Sequence, residues 1–124
     1  MESKIIIEYK ENFIHARQYG DDSYDISFKL WHGIVEACEK HNCFNILGET
    51  FTKVSLSTME SYDHIKMFEM LGISIKHRIA WVHHDEDTFE MIQMIETLLS
   101  NRGFAGKVFK DFDKAKFWLL KRDI

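Results

Sequence analysis

The residues best placed to do chemistry fall in one stretch, Ile46 to Ile73, with the sequence ILGETFTKVSLSTMESYDHIKMFEMLGI. Glu49 follows a short apolar run, and Ser55, Ser57 and Thr58 stand at the start of an amphipathic segment. Ser57-Thr58-Met59-Glu60 fits the S-x-x-E capping box, in which the hydroxyl accepts from the amide of Glu60 and the carboxylate reaches back to the amide of Ser57. A helix N-terminus gathers unpaired amides and a partial positive charge, so this junction suits an anion, phosphate included. The plainer reading makes these hydroxyls a turn and a cap, which nearly every helix needs.

Other candidate chemistry is weaker. Glu49, His83, His84 and Asp111 fall at expected strand ends and carry ligand types suited to a divalent metal. Adjacent strand residues point to opposite faces, however, and neither histidine belongs to an H-x-H or H-E-x-x-H pattern. The reading therefore assigns no metal. No G-x-S-x-G elbow, no G-x-x-x-x-G-K-[ST] loop and no G-x-G-x-x-G occurs, and neither cysteine has a recognisable histidine setting. An acidic pair and a strand-ending aspartate of receiver type are also missing at Lys10-Glu11 and Gly48-Glu49. No catalytic apparatus and no cofactor site is expected. His15, His32, His41, His64 and His77 read as surface or boundary residues. Trp31, Trp81 and Trp118 read as core, and so do the methionines of two helices, although a Met-rich face also adapts to partners.

The elements that must position these residues follow from hydrophobic period. Lys4 to Lys10 and Phe13 to Tyr19 read as strands joined by a two-residue turn at Glu11-Asn12. Tyr24 to His41 is an amphipathic helix with Ser23 or Asp22 before it and Asn42 as its C-cap. Cys43 to Gly48 is a buried strand. The helix behind Ser57 carries Met59, Tyr62, Ile65, Met67, Phe68 and Leu71 on one face and stops at Gly72. His77 to His83 is a further strand, His84 to Asp87 begin a helix that ends at Asn101-Arg102-Gly103, and Phe104 to Phe109 is the last strand. Asp111 caps a closing helix containing Ala115, Phe117, Trp118, Leu119 and Leu120. Strand-helix alternation with short joins implies parallel neighbours, so the fold is α/β: one domain over 1–124, a mixed five-stranded sheet and about four helices.

Composition narrows the function classes. The 124 residues suffice for a single core, and 45% apolar with 29% charged residues is ordinary for a globular domain. A net charge of −4 argues against nucleic acid as the main partner. No apolar run approaches the roughly 18 residues of a membrane helix, and MESKIII lacks a signal-peptide core, so the expected location is cytoplasmic. Cys38 and Cys43 are too few for a disulfide scaffold and match no zinc spacing, which leaves them as core or boundary thiols.

The order of elements, together with HRIAWVHHDED, ILGE and IETLLSNRGFAGKVFKDFDKAKFWLL, resembles the STAS superfamily and within it the SpoIIAA-like branch of small bacterial proteins. The likeness spans nearly the whole chain. It implies a regulatory or protein-interaction module without catalytic residues. In the anti-sigma-factor antagonists a serine beside the corresponding helix start is phosphorylated to release a partner, and the matching region here is Val54-Ser55-Leu56-Ser57-Thr58. The D-S-S-G type signature is absent from this chain, and Ser57 is the best positional counterpart.

The sequence thus leads to an interaction module that meets another protein through residues 49–60, with Glu49, Ser55, Ser57 and Thr58 as its partner-binding or phospho-acceptor residues. The alternative is a carrier or sensor of a small apolar ligand or lipid, for which the superfamily's lipid-carrying relatives and the supply of Met, Phe and Trp side chains both speak. Pairing of two copies through a terminal edge strand stays open.

Overall fold

The computed structural model describes residues 3–20, 23–51 and 58–121. Five strands and four helices follow one another in the order expected. They are β1 (Lys4–Tyr9), β2 (Ile14–Tyr19), α1 (Tyr24–His41), β3 (Asn45–Thr50), α2 (Thr58–Met70), β4 (Arg78–His83), α3 (Phe89–Ser100), β5 (Ala105–Phe109) and α4 (Phe112–Leu120). The sheet order is the chain order, β1-β2-β3-β4-β5, with β1 antiparallel to β2 and every later pair parallel. The fold is α/β with a mixed sheet.

That order decides the layers. Each crossover steps to the next strand in the same direction, and crossovers of one hand then place their helices on one face. Accordingly α1, α2 and α3 share a face, where Ile14, Ala16, Ile46 and Ile79 meet Leu30, Trp31, Ile34, Met67 and Phe68. The alternate residues Leu47, Ala80 and Val82 point to the other face and pack on Ala115 and Leu119 of α4. Arg78 fixes α4 in place: its guanidinium lies 3.8 Å over the Trp118 ring and donates to the carbonyls of Trp118 and Leu119. A cation at a helix C-terminus also opposes the negative end of its dipole.

The expected punctuation is largely in place. The Ser23 hydroxyl accepts from the amide of Ile26 at 3.2 Å, Asn42 ends α1 with φ 49°, and Asp111 accepts from the amide of Asp113 at 2.7 Å. The hairpin turns at Glu11-Asn12, with the amide of Lys10 donating to the Phe13 carbonyl at 2.9 Å. The capping box on Ser57 lies outside the described residues.

Three expectations are corrected. The strand expected at Cys43 to Gly48 runs from Asn45 to Thr50 instead. The amide of Cys43 still closes α1 by donating to the Cys38 carbonyl, while Arg17 and Gln18 of β2 pair with Glu49 and Thr50. Glu49 is therefore a strand residue and not part of a turn. The helix expected from His84 begins later: Glu86–Thr88 form a single 3₁₀ turn and α3 starts at Phe89. Finally, His64 and His77 are buried, although they read as surface or boundary residues. The His77 ring accepts from the amide of Ser74 at 3.1 Å, and burial, helped by Lys76, pushes it below the ordinary imidazole pKa.

Cys38 is buried and Cys43 half-buried, both as free thiols. Burial, with Cys43 beside it, pushes the Cys38 thiol up to about 12, which makes it inert at neutral pH.

Two glycines of the sheet differ in what a side chain would meet. A Cβ on Gly48 would fall 2.0 Å from Cζ3 of Trp81, inside the indole ring. A Cβ on Gly106 would find only Ile79 at 3.8 Å, an ordinary contact. Gly48→Ala should accordingly lower stability by about 1–3 kcal/mol through overpacking. Gly106→Ala should raise it by about 0.5–1 kcal/mol, because glycine in a strand carries excess unfolded-state entropy. Paired denaturant melts check both, and equal effects of the two substitutions would contradict this packing.

Candidate functional site at the carboxyl ends of the strands

Parallel pairing brings the carboxyl ends of β2, β3, β4 and β5 to one side of the molecule, the usual place for ligands in an open α/β sheet. Two arrangements meet there, one on each face.

On the α4 face, Glu49 holds two histidines. His15 Nε2 lies 2.8 Å from Glu49 Oε1, and His84 Nε2 lies 2.8 Å from Oε2. Glu49 itself is only 7% exposed, so these two bonds replace the water its carboxylate has lost. A carboxylate only accepts, so against an ionised Glu49 both rings donate through Nε2–H. Packing fixes the rings further. His15 sits between Phe13 and Phe112, with centroids 6.1 and 5.6 Å away. His84 stacks on Phe51 at 4.5 Å, and Phe51 stacks on Tyr19 at 4.7 Å. The outcome is an open three-ring stack, Tyr19–Phe51–His84, whose central ring is 42% exposed. Beside it, Arg17 donates to Glu8, and Lys10 followed by Arg17 holds the Glu8 carboxyl below its usual range.

On the helix face, the Trp81 indole lies flat across Gly48 and donates Nε1–H to Thr50 Oγ1 at 2.7 Å. Trp31 stacks on Trp81 at 5.1 Å and meets Phe68 at 4.5 Å. These rings, with Leu99, Phe104 and the bare backbone of Gly106, line a cavity of about 120 Å³ between the sheet and α1, α2 and α3. Its polar lining includes Thr50, His64 and Glu96. Burial raises the Glu96 carboxyl above its usual pKa, against the opposing pull of the Val108 amide and of Lys107.

The residues singled out in the sequence separate as follows. Glu49 is at the centre of the α4-face cluster. Thr58 opens α2. Ser55 and Ser57 lie outside the described residues. Of the four residues weighed as metal ligands, only Glu49 and His84 meet. His83 turns to the opposite face and binds Thr88 Oγ1 at 2.6 Å, as strand alternation requires, and Asp111 is occupied in capping α4. Among the described residues no group of three or more His, Cys, Asp or Glu side chains is arranged to hold a metal ion.

Two participants escaped the sequence reading. His15 belongs to the cluster because β2 pairs with β3 in a register that sets His15 opposite Leu47, two residues from Glu49 on the same face. That neighbourhood needs the strand order, which periodicity does not give. Trp81 read as core and instead walls a cavity, a role that the small residue at Gly48 could have signalled. Comparison with protein-family models, with curated proteins and with solved structures returned no match. Among the described residues no helix is long and apolar enough to cross a membrane.

Glu49→Ala removes the acceptor of two imidazoles and should lower stability by about 1.5–3 kcal/mol, the scale of a charge-assisted hydrogen bond. Long-range nitrogen–proton spectra of the unmodified protein, taken above the imidazole titration, should show His15 and His84 as Nε2–H tautomers. An Nδ1–H tautomer at either ring would contradict the cluster.

Proposed function

We propose that this chain is a non-enzymatic, STAS-like interaction module of the cytoplasm that engages another protein through residues 49–60. The observation that carries this reading is the exposed Tyr19–Phe51–His84 stack, set on the buried Glu49 and ending one residue before position 52. Aromatic rings supply large contact area at low entropy cost and are enriched at protein interfaces. Glu49 anchors the base of the platform, so the rings are held in position before a partner arrives. Ser55 and Ser57 follow Phe51 within six positions of the sequence, and a phosphoryl group on either would add charge and strong acceptors to the 49–60 segment. The element order matches that on which the STAS resemblance rests, which is consistent with the reading.

A second reading, carriage or sensing of a small apolar ligand, is favoured by the cavity beneath Trp81. The two readings are compatible. Thr50 lines the cavity and Glu49 anchors the stack, so one strand end serves both faces.

Phe51→Ala removes the middle ring, and Ser57→Asp places negative charge at the start of α2. Quantitative co-purification from the native host should show the same protein partner reduced at least several-fold by either change, with Phe117→Ala on the exposed face of α4 as an unaffected control. Partner yields unchanged by Phe51→Ala and Ser57→Asp would overturn the interaction reading.

A further inference from the structure

The cavity of the second reading has a size and a lining that specify its occupant. We propose that it binds a single-ring aromatic molecule bearing one hydroxyl or amino donor, and not a lipid chain; this rests on the ligand-binding reading above.

Volume decides the first point. Pockets for drug-sized ligands run to about 300–1,000 Å³, whereas apolar cavities of about 150 Å³ take up benzene. At about 120 Å³ the space here suits one ring with a small substituent. A long acyl chain exceeds this space.

Shape and lining decide the second. Trp31 and Trp81, stacked on one another, line the space, and Phe68 and Phe104 beside them meet edge to face at 5.6 Å. A guest ring would meet an aromatic wall, the kind of surface with which an aromatic ring packs best. Gly106 leaves the β5 side of the cavity bare, because its missing Cβ would touch only Ile79.

Chemistry decides the third. Glu96 on α3 brings a carboxyl to the cavity wall, in surroundings dry enough to raise its pKa. A partly desolvated carboxyl gains most from a ligand that offers a donor, since the bond replaces lost hydration. Thr50 Oγ1 already accepts from the Trp81 indole, and Glu96 is the one carboxyl among the cavity's described lining residues and so the strongest acceptor for an incoming donor. Phenol and aniline meet these requirements, benzene meets only the apolar ones, and palmitate meets neither the size nor the donor.

Binding of phenol, aniline, benzene and palmitate to the intact protein, followed by tryptophan fluorescence and by indole N–H shifts, tests the proposal. Phenol or aniline should bind saturably and at least several-fold more tightly than benzene. Glu96→Leu should abolish that preference while leaving benzene bound. Gly106→Val should fill the cavity and weaken every ring probe by about tenfold or more, equivalent to about 1.4 kcal/mol. Should that variant fold poorly, Gly106→Ala fills less of the same space and should weaken binding by a smaller factor without loss of melting temperature. Palmitate bound and phenol excluded would overturn the single-ring inference while sparing the carrier reading. No saturable binding by any of the four would end both. Phenol affinity untouched by Gly106→Val would place the ring elsewhere and defeat the assignment.

Discussion

The Trp81 indole lying across Gly48 is the contact on which the rest of the structure depends. It requires β3 to present bare backbone where β4 presents its largest side chain, and the register pairing Gly48 with Trp81 makes the two meet. The ring then reaches Trp31 of α1 and, through it, Phe68 of α2, so two crossover helices are tied to β4 by one aromatic run. Its Nε1–H satisfies Thr50, which would otherwise be a hydroxyl buried at the strand end. A shift of one residue in β3 would put Glu49 under the indole and Gly48 on the opposite face, and both sites would disappear.

Strand alternation turns that contact into a two-sided device. Gly48 and Thr50 face the helices and the cavity, while Glu49 between them faces α4 and holds His15 and His84. The cavity wall at Thr50 and the cluster at Glu49 therefore rest on successive residues of β3. Thr50 on one face is flanked in the chain by Glu49 and Phe51 on the other.

How much of this was legible in the sequence varies by the distance over which residues act. Local signals were read well: Ser23, Asn42 and Asp111 cap as their types suggest, and β-branched runs became strands. The α/β class followed from alternation alone. Errors gathered where a tertiary contact overrode a local one. Glu49 looked like the start of a polar turn, but pairing with Arg17 extends β3 through it. His84 looked like a helix start, but its ring is drawn back to Glu49 and Phe51, and α3 is delayed to Phe89. His15 carried no local signal at all, because its role depends on the neighbouring strand. His64 and His77 are polar residues inside the protein, which composition does not foresee.

The most direct test of this account is hydrogen exchange at the indole N–H groups of the three tryptophans. If Trp81 is clamped over Gly48 and bonded to a Thr50 that is only 3% exposed, its indole proton should be the slowest of the three, exchanging only when the β3–β4 pair opens. Exchange of the Trp81 indole as fast as that of the half-exposed Trp118 would mean that the indole is not held against β3, and the cavity and the strand-end cluster would lose their common support.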